Sequence, residues 1–201
     1  MAPRASYHHG DLAPALLEAA VELIAERGLP SLSLRECARR AGVSHAAPYR
    51  HFADKEALVL AIAQQGFEWL ADAGERAMAE LEDPRERLDA FGVAYVRFSV
   101  DHPVHHRVMF TSQFDPAAGH RSFALLVEAT AALLDPGEDV ELAAIAAWSL
   151  MHGLSMLLLD ERIPARLVKR RKDVEALARG VLAQWRGPLS ASPRSKSRRN
   201  R

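Results

Sequence analysis

Between residues 33 and 55 the chain sets hydrogen-bond donors and cations at close spacing: Ser33, Arg35, Ser44, His45, Tyr49, Arg50, His51 and Lys55. Donors carried by a short helix suit the phosphates of duplex DNA and the base edges in its major groove. Ser44, His45, Ala46 and Ala47 fall on the first turn of the expected reading helix, where short side chains let the backbone come close to the bases. Tyr49, Arg50 and His51 follow and are long enough to reach phosphates or bases on either side. Lys55 opens the next helix, where its own charge and the unpaired amides both favour a phosphate. The same spacing also fits an ordinary three-helix bundle with a solvated basic face, so spacing alone leaves both readings open.

Two other chemistries are weaker. His102, His105 and His106 lie close together, with His120 and His152 elsewhere, but adjacent histidines project about 100° apart on a helix and do not easily converge on one metal. No metal site and no cofactor are expected. A hydrolase would have to use His152-Gly153-Leu154-Ser155, yet residue 157 is Leu where a nucleophile elbow needs Gly, and no strand precedes it. The chain is not expected to be an enzyme. Cys37 sits among small apolar residues and reads as packing.

The elements that position these residues are helical. Ala (36) and Leu (26) far outnumber Val, Ile and Thr (19 together), a bias toward strong helix formers. Asp11 is placed to cap a helix bearing Leu12, Leu16, Ala20, Leu23 and Ile24 on one face, ended by Gly28 and Pro30. Ser33 and Glu36 form a Ser-x-x-Glu capping box for a second, short helix that Gly42 stops. Ser44 caps a third, His45 to His51, in which Pro48 is tolerable because it falls in the first turn. The glycine-containing turn between the last two gives helix-turn-helix spacing. Asp54 caps a fourth helix. Five more are expected at Pro84–His102, Val104–Phe110, Arg121–Leu134, Val140–Asp160 and Val168–Trp185, for an all-α fold of about nine helices.

The 201 residues carry 26 Lys plus Arg and 26 Asp plus Glu, but the neutral sum hides a division. Residues 33–55 hold five basic and two acidic residues, residues 56–161 six and eighteen, and residues 162–201 thirteen and two. An acidic body would repel DNA and leave contact to one small basic face. The run Arg194–Arg201 is either a sequence-independent phosphate contact or a solubilising terminus. No signal peptide is recognised, the uninterrupted apolar runs fall far short of a bilayer span, and a cytoplasmic protein with no membrane partner is expected.

The run from Ser33 to Leu58, with Ala41-Gly42-Val43-Ser44, Tyr49-x-His51-Phe52 and Lys55-Glu56-x-Leu58, strongly resembles the DNA-binding domain of TetR-family transcriptional regulators. The leader Tyr7-His8-His9-Gly10-Asp11-Leu12 and the later Trp148-Ser-Leu-Met-His152-Gly153 resemble one subgroup of that family. The resemblance implies a helix-turn-helix domain over 1–53 and a helical effector and dimerisation domain over 54–186, and composition makes 187–201 a disordered basic tail. It implies that Ser33, Arg35, Tyr49, His51 and Lys55 contact phosphates, with Ser44, His45, Ala46 and Arg50 as candidates for base reading. Pro48 departs from the branched apolar residue of many members.

The family further implies a homodimer through Val140–Asp160 and Val168–Trp185, bound to a pseudo-palindromic double-stranded DNA operator, and repression relieved or modulated by a small effector. Tyr95, Phe98, Met109, Phe110, Phe114, Phe123, Trp148, Met151, His152 and Met156 supply an aromatic and sulfur-rich lining for a largely apolar ligand, or simply the hydrophobic core. A metal-responsive regulator using the histidines is the alternative.

Overall fold

The computed structural model describes residues 12–110 and 119–189, the last four without their side chains. The expected cap Asp11, the leader before Leu12, Phe114 and the chain from residue 190 lie outside these residues. Among the described residues there are eight α-helices and no strand. They are α1 (Leu12–Arg27), α2 (Leu34–Arg40), α3 (Lys55–Met78), α4 (Pro84–Asp101), α5 (Pro103–Met109), α6 (His120–Ala131), α7 (Val140–Leu159) and α8 (Arg171–Leu189).

The caps are local chemistry. Ser33 Oγ accepts from the Glu36 amide at 3.2 Å, Asp54 Oδ1 from Ala57 at 2.8 Å, Asp83 Oδ1 from Glu86 at 2.9 Å and Asp139 Oδ1 from Leu142 at 3.0 Å. Each satisfies one amide that the helix itself leaves unbonded. The expected capping box is only half formed: the Glu36 carboxylate turns away to Arg39, receiving Nε at 2.9 Å and Nη2 at 2.7 Å.

The third expected helix, His45 to His51, is absent. Residues 45–47 form a turn, and only Pro48–Arg50 is helical, as one 3-10 turn. The hydrogen bonds show why: Ala47 N donates to Ser44 O, Arg50 N to Ala47 O and His51 N to Pro48 O, each spanning three residues. Pro48 has no amide to give Ser44, and its ring would press on that carbonyl, so an α-turn cannot close across it. Pro48 is fully buried, which fixes the segment against the core instead.

The chain forms two compact units. One comprises the chain up to Trp69 with His102–His120; the other is Leu70–Asp101 with the chain from Arg121. In the first, Leu16, Leu23, Cys37, Leu58 and Ile62 are wholly buried in a core shared by α1, α2 and the start of α3, with Phe52 and Val108 beside them. Here α5 lies hard against α3. A Cβ on Gly66 would come within 2.7 Å of Met109 Sδ, so only glycine permits the approach. His105 Nε2 donates to Gln65 Oε1 at 3.0 Å, and the Trp69 ring lies 5.0 and 4.7 Å from those of His102 and His105.

Burial, then the neighbouring His102, holds the His105 imidazole at about 4 instead of 6.5. It is neutral in the fold, while the unfolded chain takes up a proton below 6.5. The stability this confers is therefore complete above pH 6.5 and is lost as pH falls toward 4, by about 2.5 kcal/mol between pH 7 and 4.5. Urea unfolding at the two pH values checks this: His105→Gln, which does not titrate, loses that much less stability than the wild type, and equal losses would refute it.

In the second unit Met78, Leu88, Phe91, Leu126, Ala129, Ala144 and Ala147 form the core, with Phe123, Trp148 and Trp185 packed on it. Ion pairs tie α8 to α4: Arg97 to Glu175 at 3.2 Å, and Arg171 to Asp101. No uninterrupted apolar run is long enough to span a bilayer, but α7 taken whole, 20 residues with a mean hydropathy of 1.8 over its most apolar 18, is long and apolar enough by length and composition alone. Ser149, His152 and Gly153 interrupt its apolar runs and hid it. That 18-residue stretch is only 28% buried, with Leu142, Ile145 and Leu157 facing outward.

Candidate nucleic-acid interface

The turn after α2 is built by Gly42, whose φ of +70° an ordinary residue resists. Val43 N donates to Ala38 O at 3.0 Å and Gly42 N to Arg39 O at 3.3 Å, the double closure that ends a helix and reverses the chain. The segment that follows is thrown outward. Ser44, His45, Ala46, Tyr49, Arg50 and His51 are all exposed, as are Ser33 and Arg35 at the start of α2. Tyr49 leaves 53% of its surface open, unusual for an aromatic side chain with a core beside it. Lys55 is half-buried at the first turn of α3, where its Nζ donates to Pro30 O at 3.3 Å. Thus all nine expected DNA-contacting residues belong to one unit, and eight of them are exposed.

The local charge differs from the simple count. Arg40 keeps only 15% of its side chain exposed and is bound by Glu26, with Nη1 at 2.9 Å from Oε1 and Nη2 also paired. Glu22 at 3.7 Å and Glu36 at 3.9 Å complete its surroundings. Arg40 beside Glu26, and Arg39 beside Glu36, hold both carboxyls below the usual range. These pairs neutralise two of the basic residues of 33–55, and the one between Arg40 and Glu26 fastens α2 to α1. They leave Arg35, Arg50 and Lys55 as the cations of the outward face. Arg40 is a positioning residue that sequence reading counted as bare charge; the signal was Glu22 and Glu26, one turn apart on α1.

The residues expected to line an effector site divide between the units. Tyr95, Phe98, Phe123, Trp148, Met151, His152 and Met156 belong to the second. There Trp148 Nε1 donates to Tyr95 Oη at 3.2 Å, and the Tyr95 hydroxyl lies 2.9 Å from His152 Nδ1. The Phe123 and Trp148 rings meet edge to face at 6.2 Å. Burial raises the Tyr95 hydroxyl well above its ordinary value and lowers His152, so both are neutral near pH 7. Met109 and Phe110 belong to the first unit: Met109 packs on Gly66, and Phe110 meets Phe67 at 5.8 Å and His106 at 5.3 Å. Among the described residues no three His, Cys, Asp or Glu side chains gather as a metal site, and His102, His105 and His152 have the partners given above.

Comparison with known proteins agrees with this geometry. Residues 16–62 match the bacterial regulatory proteins of the tetR family, and residues 88–184 match the tetracyclin repressor-like C-terminal domain. The transcriptional activator FasR of Mycolicibacterium smegmatis is 28% identical over 185 residues, 90% of this chain and 84% of its own. A solved protein of unknown function from Rhodococcus sp. RHA1 is 34% identical with a TM-score of 0.70, covering 90% of this chain and 98% of that one. The regulator FadR from Bacillus subtilis, solved in complex with stearoyl-CoA, is 18% identical with a TM-score of 0.67 over 85% of this chain and 95% of its own, a likeness of fold alone. With the outward helix-turn-helix of the first unit and both domains matched, the chain belongs to the TetR family of DNA-binding transcriptional regulators.

Proposed function

We propose that the chain is a homodimeric, ligand-responsive repressor. It reads a pseudo-palindromic operator with Ser44, His45, Ala46 and Arg50 and holds the phosphates with Ser33, Arg35, Tyr49, His51 and Lys55. Residues 1–53 are the helix-turn-helix domain, with Lys55 just beyond it, and 54–186 carry the effector site and dimer face, in a protein that works in the cytoplasm, where its operator is. The outward display of these donors around the Gly42 turn, with Tyr49 half exposed, is the observation that carries the reading.

Dimerisation through α7 and α8 is supported by an outward stripe. Leu142, Ile145, Ala146, Ser149, Gly153 and Leu157 recur on one face of α7, and Ala176, Gly180 and Ala183 on one face of α8. A Cβ on Gly153 or Gly180 would meet nothing within 4 Å. Glycine inside a helix costs about 1 kcal/mol relative to alanine. Nothing within the protomer calls for it at either position, whereas close approach of a partner helix does. A two-fold dimer then sets its reading segments about 34 Å apart, one turn of DNA.

The effector reading rests on the neutral Tyr95, His152 and Trp148 network beside Phe123 and Met151. These groups favour an apolar molecule with a hydrogen-bonding end, and FadR, which holds stearoyl-CoA, is a fold neighbour of that habit. Such a ligand acts by preferring one spacing of the two reading segments. The test is selection of bound duplexes from a random DNA pool, beside sedimentation of the free protein. Enrichment of inverted half-sites centred about 10 base pairs apart, or a multiple of that, is expected. A pool with no shared sequence would overturn the reading.

A further inference from the structure

Among the described residues outside the DNA-reading face, positive charge is densest in the connector between α7 and α8. From Arg162 to Lys172 the chain places Arg162, Arg166, Lys169, Arg170, Arg171 and Lys172, with no acidic residue between them, and all six are exposed. Arg170 is engaged by Asp173 at 3.2 Å and Arg171 by Asp101. Among the described residues Arg162, Arg166, Lys169 and Lys172 take part in no ion pair. This runs against the surrounding composition, since residues 56–161 carry six basic and eighteen acidic residues.

The backbone holds the connector at both ends. Glu161 leaves α7 with φ +54°, a left-handed conformation that a side chain adopts at a cost of roughly 1 kcal/mol. It is fixed by Arg162 N donating to Leu157 O at 2.8 Å and Glu161 N to Leu158 O at 3.1 Å. At the other end the Arg171 to Asp101 pair ties the start of α8 to the last residue of α4, where the chain leaves this unit. Between the two anchors the only regular element is the 3-10 turn Ala165–Leu167, too short to fill a groove. Long cations on such a segment suit phosphates and not base edges. A protein partner would need an apolar or aromatic anchor, and Leu167 is the one large apolar side chain the connector exposes.

We propose that this connector is a second, sequence-independent DNA contact, in which Arg162, Arg166, Lys169 and Lys172 bind phosphates flanking the operator. The proposal rests on the operator-binding reading given above. It gives the acidic effector unit a means of tolerating the polyanion that its own surface repels.

The experiment replaces the four residues together by glutamine in the full chain and follows binding against salt on two duplexes. One is the selected operator alone; the other extends it by about one helical turn, 10 base pairs, on each side. On the extended duplex the slope of log K against log salt becomes shallower in the variant by about 7, for eight phosphates per dimer at roughly 0.9 each. On the short duplex the two proteins agree. Arg162→Lys with Arg166→Lys keeps the wild-type slope, because charge and not shape is at work. Equal slopes on the extended duplex overturn the proposal. So does sedimentation of the wild type, but not the variant, with phosphatidylserine vesicles while the DNA slopes agree, which reassigns the patch to a membrane. If the short operator is bound normally in either case, only this proposal falls; if the wild type binds neither duplex, the operator reading falls with it.

Discussion

Replacing Tyr49 and Lys55 together by alanine lowers DNA affinity about ten-thousandfold, and by a similar factor whatever the sequence. Tyr49 presents its phenol outward, and Lys55 stands at the first turn of α3 with its amine held by Pro30 O, so each is placed to donate to a phosphate. A hydrogen bond to a charged group contributes roughly 1.5 kcal/mol at the low end, and a dimer loses four of them. That sum is about 6 kcal/mol, the equivalent of roughly ten-thousandfold in Kd. The salt slope falls by about 2, for the two lysines removed per dimer. His45→Ala behaves differently: it relaxes preference at its own base position and leaves the slope alone. Tyr49 is exposed and Lys55 half-buried, so thermal unfolding of the double variant stays near that of the wild type. Fluorescence anisotropy on the selected operator and on an unrelated duplex reads both effects, and affinity retained within threefold on both would sink the proposed interface.

What could be read without coordinates was what local rules govern. Ser33 and Asp54 were legible as caps because a cap needs only a side-chain oxygen and an amide three residues on. The bounds of α4 and α7 followed from Asp-Pro and Pro-Gly punctuation. The reading segment was misjudged because two local rules compete there. A capping serine followed by good helix formers argues for a helix, and Pro48, buried in the core, forbids its second turn. The charge of the DNA-facing unit was overcounted for a different reason. Arg40 meets Glu22 and Glu26 only once α1 and α2 have packed, a contact across fourteen residues that no spacing rule contains. For the effector side, pattern could name aromatic residues but not sort them. Trp148, Tyr95 and His152 converge through hydrogen bonds from two helices, while Met109 and Phe110, of the same chemical type, serve the packing of the first unit.

The outer face of α7 escaped pattern for a further reason. Leucine, isoleucine and alanine surround this helix so nearly completely that periodicity cannot say which side the protomer itself covers. The fold resolves it: Ala144, Ala147, Met151, Leu154 and Ser155 are buried, leaving the stripe of Leu142, Ile145 and Leu157 exposed at 64%, 41% and 47%. A stripe of that kind on a soluble surface has to be covered.

Ile145→Asp is therefore expected to break the dimer without unfolding the protomer. Residue 145 lies on the exposed face, so in the isolated protomer the carboxylate stays in water and far-ultraviolet circular dichroism is unchanged. In the proposed dimer it would be buried between the α7 helices. Leaving a buried charge unpaired costs about 3 kcal/mol, and the two-fold axis duplicates the cost. The dimer dissociation constant rises by about ten-thousandfold, the equivalent of roughly 6 kcal/mol. Sedimentation velocity at micromolar concentration would show a monomer, and the protein would bind one half-site as well as two. Leu157→Asp, three turns along the same stripe, gives the same result. A nearby exposed control, Glu141→Asp, conserves charge and leaves the dimer intact. Should Ile145→Asp and Leu157→Asp both sediment as dimers, the α7 and α8 face is not the dimer interface, and the operator spacing deduced from it fails as well.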